Sequence, residues 1–104
     1  MYTDRQIKRG RRVLGRAETW RKVNPEAWRF IVRTATELAA RQQPISGSML
    51  IEAVRHKAFL DREGNDTKTN NDYAPVVARW LAIEHPETAP YIRQRATVFD
   101  LLVA

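Results

Sequence analysis

Residues 1–22 carry Arg5, Lys8, Arg9, Arg11, Arg12, Arg16, Arg21 and Lys22 against only Asp4 and Glu18. Cations at this density can neutralise a row of phosphates, and each contact releases counterions and adds a salt-dependent increment to nucleic-acid affinity. The formal net charge of +6 on the 104-residue chain sits entirely here, because the rest of the chain holds ten basic and ten acidic side chains. Basic helices also meet acidic proteins and anionic membranes. The membrane reading is set aside, since the segment offers few bulky apolar residues and is interrupted by Gly10 and Gly15.

A second set lies on the segment after Ser46. Ser48, Arg55, His56 and Lys57, with Glu52 among them, could face a major groove while Leu50, Ile51 and Val54 face a core. The competing reading is an ordinary packed helix, because Glu52 repels phosphates. A third set, Lys68, Asn70, Asn71, Tyr73 and Arg79, could touch phosphate or a partner protein. Asparagines in a tight turn usually serve the backbone, so Asn71 is assigned to capping, and Arg79 is a candidate to pair with a carboxylate such as Glu52.

Other chemistry is poorly supplied. Asp61, Glu63, Asn65 and Asp72 fall at positions one, three, five and twelve of a loop, but Asp66 stands where a calcium loop needs glycine and Asp72 where it needs a bidentate glutamate. His56 and His85 lack ligand or nucleophile spacing, and there is no glycine-rich phosphate loop and no cysteine. The expectation is a protein that is not an enzyme and uses neither metal nor cofactor. Trp20, Trp28 and Trp80 are assigned to the core.

The elements that must position these residues are helical. Thr3 with Gln6 forms a capping box for a first helix that stops at Val23. Gly10 and Gly15 each cost about 1 kcal/mol in a helix interior, so this helix needs a core or a partner to hold it, with the Trp20 end docked. Asn24 caps a second helix through its side chain, with Pro25 in its first turn, in a stretch running to Gln43 with Ala27, Ile31, Thr34, Leu38 and Arg41 at helical spacing and Phe30, Ala35 and Ala39 beside them, so that one broad face is apolar. Pro44 ends it and Ser46 caps a third helix, which gives the spacing of a helix-turn-helix. Asn71 or Asp72 caps a helix with Val76 or Val77, Trp80, Leu81 and Ile83 on its apolar face, ending before Pro86; Thr88 caps a last one with Ile92, Ala96, Phe99 and Val103. The fold expected is mainly α: a small helical domain with a helix-turn-helix, winged-helix-like if a short β-hairpin forms near 59–70. Residues 1–22 make a basic N-terminal helix or arm, and 23–104 a single helical domain.

Asn24-Pro25, Ser46 followed by Leu50, Glu52 and Arg55, then Lys68-Thr-Asn-Asn-Asp-Tyr73, Ala78-Arg79 and Pro86 resemble a widespread set of small phage- and prophage-borne proteins. The resemblance covers roughly residues 18 to 95, and Lys68 with Asn70-Asn71-x-Tyr73 leading into Ala78-Arg79 is its most specific part. The chain departs from the pattern in its longer basic N-terminus, its Val98-to-Ala104 tail, and His56 where the relatives tend to have an aromatic residue. The resemblance implies a phage or mobile-element origin and no particular activity. The function expected is a phage-derived DNA-binding regulator that contacts phosphates of double-stranded DNA through Arg5, Lys8, Arg9, Arg11, Arg12 and Arg16. The alternative is a small phage protein that inhibits a host protein with an acidic surface, using Lys68, Tyr73 and Arg79. No segment reaches the roughly 18 apolar residues of a membrane span, and a place in the host-cell cytoplasm is expected.

Overall fold

In a computed structural model, residues 1–57, 59, 64 and 69–103 are described. Thr3 opens helix α1 (Asp4–Val23) with the expected capping box: Gln6 N donates to Thr3 Oγ1 (3.2 Å) and Thr3 N donates to Gln6 Oε1 (2.8 Å). Asn24 then behaves differently from the expectation. Its backbone N–H and its side-chain Nδ2 both donate to Trp20 O (2.9 Å each), so it closes α1, and its side chain makes no capping bond to helix α2 (Pro25–Ala40).

The inner face of α2 is Ala27, Trp28, Ile31, Ala35 and Ala39. Thr34 and Leu38 are only half-buried, and Arg41 is exposed beyond the helix end. Ala27, Ile31, Ala35 and Ala39 lie on the broad apolar face expected, and Trp28 extends it by turning inward to meet Trp80 edge-on, ring centres 5.7 Å apart. The helix also stops earlier, at Ala40 and not at Gln43. Gln42 adopts a left-handed φ of 57°, and the bonds Gln42 N to Ala39 O and Gln43 N to Leu38 O complete a Schellman motif.

Strand β1 (Ile45–Ser46) follows and pairs in parallel with β2 (Ile92–Arg93), Ile45 opposite Ile92. Ser46 Oγ accepts from Met49 N at 3.3 Å, as a cap for helix α3 (Gly47–Lys57), whose Leu50, Ile51 and Val54 are buried as expected. The hairpin expected near 59–70 lies outside the described residues, apart from Phe59, Gly64, Thr69 and Asn70.

Asn70, and neither Asn71 nor Asp72, supplies the next cap: its Oδ1 accepts from Asp72 N at 2.9 Å. A 3-10 turn at Asn71–Tyr73 leads into helix α4 (Ala74–Glu84). Val76, Val77 and Leu81 are fully buried and Trp80 half-buried, but Ile83, placed on the apolar face by its spacing, is 51% exposed. Thr88 does not open a helix. It is wholly buried and its hydroxyl donates to His85 O (2.7 Å) and Leu81 O (3.3 Å), so it closes α4. The long last helix is replaced by a 3-10 turn (Pro86–Tyr91), β2, an extended stretch and the short helix α5 (Phe99–Leu102). Pro90 cannot donate to a helical ladder, and β-branched Ile92 instead pairs with Ile45.

The chain is thus mainly helical, with a small parallel sheet tying its middle to its C-terminal part. Two apolar clusters hold it. The main one gathers Trp20, Trp28, Ile31, Ile45, Leu50, Ile51, Val54, Val77 and Leu81. A smaller one joins Ala17, Val76 and Phe99, with Val13, Leu14, Val98 and Leu102 packed on it. The smaller cluster docks α1 well beyond Trp20. A Cβ on Gly10 would lie 2.8 Å from both Leu102 Cδ1 and Val98 Cγ1, so α5 crosses α1 where glycine leaves room.

Candidate nucleic-acid interface

Docking α1 along Gly10, Ala17 and Trp20 forces its opposite face outward. Arg5, Arg9, Arg12 and Arg16, at spacings of four, three and four, form one exposed row along the flank between the docked and the outward face, about 16 Å long at the helical rise. Lys8, Arg11 and Lys22 lie in the neighbouring row with Asp4, Gly15 and Glu18. All of these cations are exposed, and none makes an ion pair among the described residues. Gly15 sits among them with nothing within 4 Å of where a Cβ would be. The arginine row is therefore an unneutralised line of guanidinium groups on a fixed scaffold.

Arg21, on the same helix, has a different fate. It faces Glu84 across the fold with two bonds of 2.6 Å, Nη1 to Oε2 and Nη2 to Oε1, while its guanidinium lies 4.1 Å from the Trp28 ring centre and 5.1 Å from that of Trp80. The Arg21 hydrogen bonds hold the Glu84 carboxyl below the ordinary range, against partial burial, with Arg21 and His85 charge adding to the lowering. Arg21 is a fastener between α1, α2 and α4 and leaves the cationic face to its neighbours.

The α3 residues are not all assembled into one surface. Ser48, Arg55 and His56 are exposed, but Arg55 is engaged: Nη1 donates to Glu52 Oε1 at 2.6 Å, and Nη2 and Nε donate to Thr69 O at 2.8 and 3.3 Å. Lys57 leans toward α2, its Nζ 5.8 Å from the Phe30 ring centre. In the third set, Lys68 lies outside the described residues. Tyr73 is half-buried, its ring 5.9 Å from that of Trp20.

Arg79 does not pair with Glu52. It is 5% exposed and turned toward the C-terminal stretch, where Nε donates to Asp100 Oδ1 (3.1 Å), Nη2 to Arg95 O (2.7 Å) and Nη1 to Pro75 O (2.9 Å). The Asp100 carboxyl is held below the usual aspartate range, first by the backbone N–H of Thr97, with burial opposing and Arg79 adding to the lowering. Tyr73 and Arg79 are thus committed to packing and leave little for a partner to grip. The sequence signal for Arg79 was its place between Val76-Val77-Ala78 and Trp80-Leu81: a cation inside an apolar helical run has to find a buried acceptor.

A groove of about 440 Å³, which no sequence pattern marks, runs between the N-terminal half of α1, the Asn71 turn and the Thr97–Phe99 stretch, with Arg9 of the arginine row on its rim. Its walls come from three distant parts of the chain, so no local spacing links them. Among the described residues no helix is long and apolar enough to cross a membrane. The chain matches no protein-family model, no curated protein and no solved structure.

Proposed function

We propose that this chain binds double-stranded DNA through the exposed face of α1 and serves as a regulator of phage or mobile-element origin. The reading rests on one observation: Arg5, Arg9, Arg12 and Arg16 stand in a row on a docked helix without an internal partner among the described residues. A regular line of guanidinium groups suits a regular polyanion, since each can make charge-assisted bonds to phosphate oxygens and the scaffold fixes their spacing before contact. The positive end of the α1 dipole, beside Arg5, adds to the attraction. In this reading α2 and α3 act as the helix-turn-helix, with Ser48 and His56 turned to the groove and Arg55 restrained by Glu52 and Thr69.

The test is a salt titration of binding to a random-sequence duplex. Replacing Arg5, Arg9, Arg12 and Arg16 together with Gln should lower the slope of log affinity against log salt by about 0.9 for each phosphate that is no longer neutralised, without unfolding exposed positions. A duplex affinity and slope unchanged by the four substitutions would sink the reading. If the wild-type chain ignores duplex but is retained by an acidic host protein, the same face serves the alternative of host-protein inhibition.

A further inference from the structure

We infer that the groove beside the arginine row receives an unpaired nucleobase, so that the preferred partner is DNA containing an unstacked nucleotide; this deepens the DNA-binding reading and rests on it. Arg9 belongs to both features: it stands in the row with Arg5, Arg12 and Arg16, and it borders the groove. A strand whose phosphates lie along the row therefore places a sugar and base next to the groove mouth. The groove has an apolar floor that includes Val13 and Phe99, with the Tyr2 ring half-buried at its side. Aromatic and apolar walls suit the flat face of a base, and stacking of this kind tolerates any base.

The polar rim narrows the choice. Asn71 and Asp72 border the groove on the side away from α1, and neither side chain makes a hydrogen bond or ion pair among the described residues. An amide offers a donor and an acceptor to a base edge, and a carboxylate accepts from an exocyclic amine, which adenine and cytosine carry and thymine lacks. Asp72 also repels phosphate, so the backbone stays on the arginine row and the base is the part that enters. A base held in a duplex must first leave the stack, which costs least where it is already unpaired.

Fluorescence anisotropy of the full chain with three labelled duplexes tests this: perfectly paired, with one extra unpaired adenine, and with one extra unpaired thymine. The wild type should bind the adenine-bulged duplex about tenfold more tightly than the perfect one, as one stacked base implies, and more tightly than the thymine-bulged one. Asn71→Ala and Tyr2→Ala should each bring that ratio toward one while leaving affinity and salt slope for the perfect duplex unchanged, with thermal melts confirming the fold. Equal wild-type affinity for bulged and perfect duplexes, with a normal salt slope, overturns the groove and leaves the DNA reading standing. A preference that survives in both variants also overturns it, since bulge flexibility would then be the cause. No binding to any of the three removes the DNA reading and the groove together.

Discussion

The two ends of α1 are held by different means. At Trp20 the helix enters the main cluster and is locked by Arg21, which bridges to Glu84 and covers Trp28 and Trp80. At Gly10 it is held by a strap, the Arg95-to-Val103 stretch, which contributes Phe99, Val98 and Leu102 and is latched by Arg79 and Asp100. The cations Arg5, Lys8, Arg9, Arg11 and Arg12 all lie toward the strapped end, with Arg16 between the two. The candidate binding face thus rides on the less heavily packed part of the fold, and its geometry depends on a short C-terminal element far away in sequence.

The largest expected effect tests the firm end. Ile31 is fully buried in the main cluster, and Ile31→Ala should cost about 2–5 kcal/mol, read by denaturant unfolding. Leu38→Ala, at a half-buried position, should cost clearly less. Equal losses would mean that the α2 face is misplaced. Next comes the strap. Gly10→Ala drives a methyl against Val98, whose branched side chain cannot swing away, at a local cost of about 1–3 kcal/mol. Amide exchange should quicken in Phe99–Val103 while α3 and α4 stay protected. Uniform acceleration would show that the two ends unfold as one.

A smaller effect separates the latches by pH. Because the folded-state pKa of Asp100 is depressed, its contribution is fully present above the ordinary aspartate pKa and is lost as pH falls through the depressed value. Asp100 is 47% exposed on its side chain, so solvent screens the pair and the loss should stay near the scale of surface pairs, under about 1 kcal/mol. The protection factors of the strap amides, that is the intrinsic rate at each pH divided by the observed exchange rate, should be lower in acid than at neutral pH. Asp100→Asn should flatten that acid-dependent part, and a strap whose protection ignores both pH and the substitution would place its hold in Phe99 alone.

These outcomes also bear on what the sequence could tell. The starts of α1 and α3 and the end of α4 were legible because Thr3 with Gln6, Ser46 and Pro86 act on their own neighbours. The exposed arginine row was legible as a charge count, since nothing distant claims those residues. Misreadings fall where a partner outside the element's own local pattern decides. Thr88 closes α4 seven residues back, Asn24 turns to Trp20, and Ile92 leaves a helical spacing to pair with Ile45. Arg55 and Arg79 looked available because their acceptors, Thr69 O, Arg95 O and Asp100, are supplied by tertiary contact. The groove is of the same kind.

The smallest change in stability comes from repeating the Gly10 substitution five residues later. Gly15 lies in the same helix with ordinary helical backbone, yet a Cβ there meets nothing within 4 Å. Gly15→Ala therefore removes only the entropic penalty of glycine and should stabilise the protein by about 0.5–1 kcal/mol, where Gly10→Ala destabilises. A methyl on the exposed face adds no charge, so the salt slope of duplex binding should not change. If Gly15→Ala raises the melting temperature and leaves duplex affinity intact, the exposed face tolerates bulk and contact is made through the ends of the long cationic side chains. If it stabilises the fold but weakens binding severalfold, the bound strand approaches the α1 backbone itself at Gly15, and the contact is closer than an arginine-mediated one.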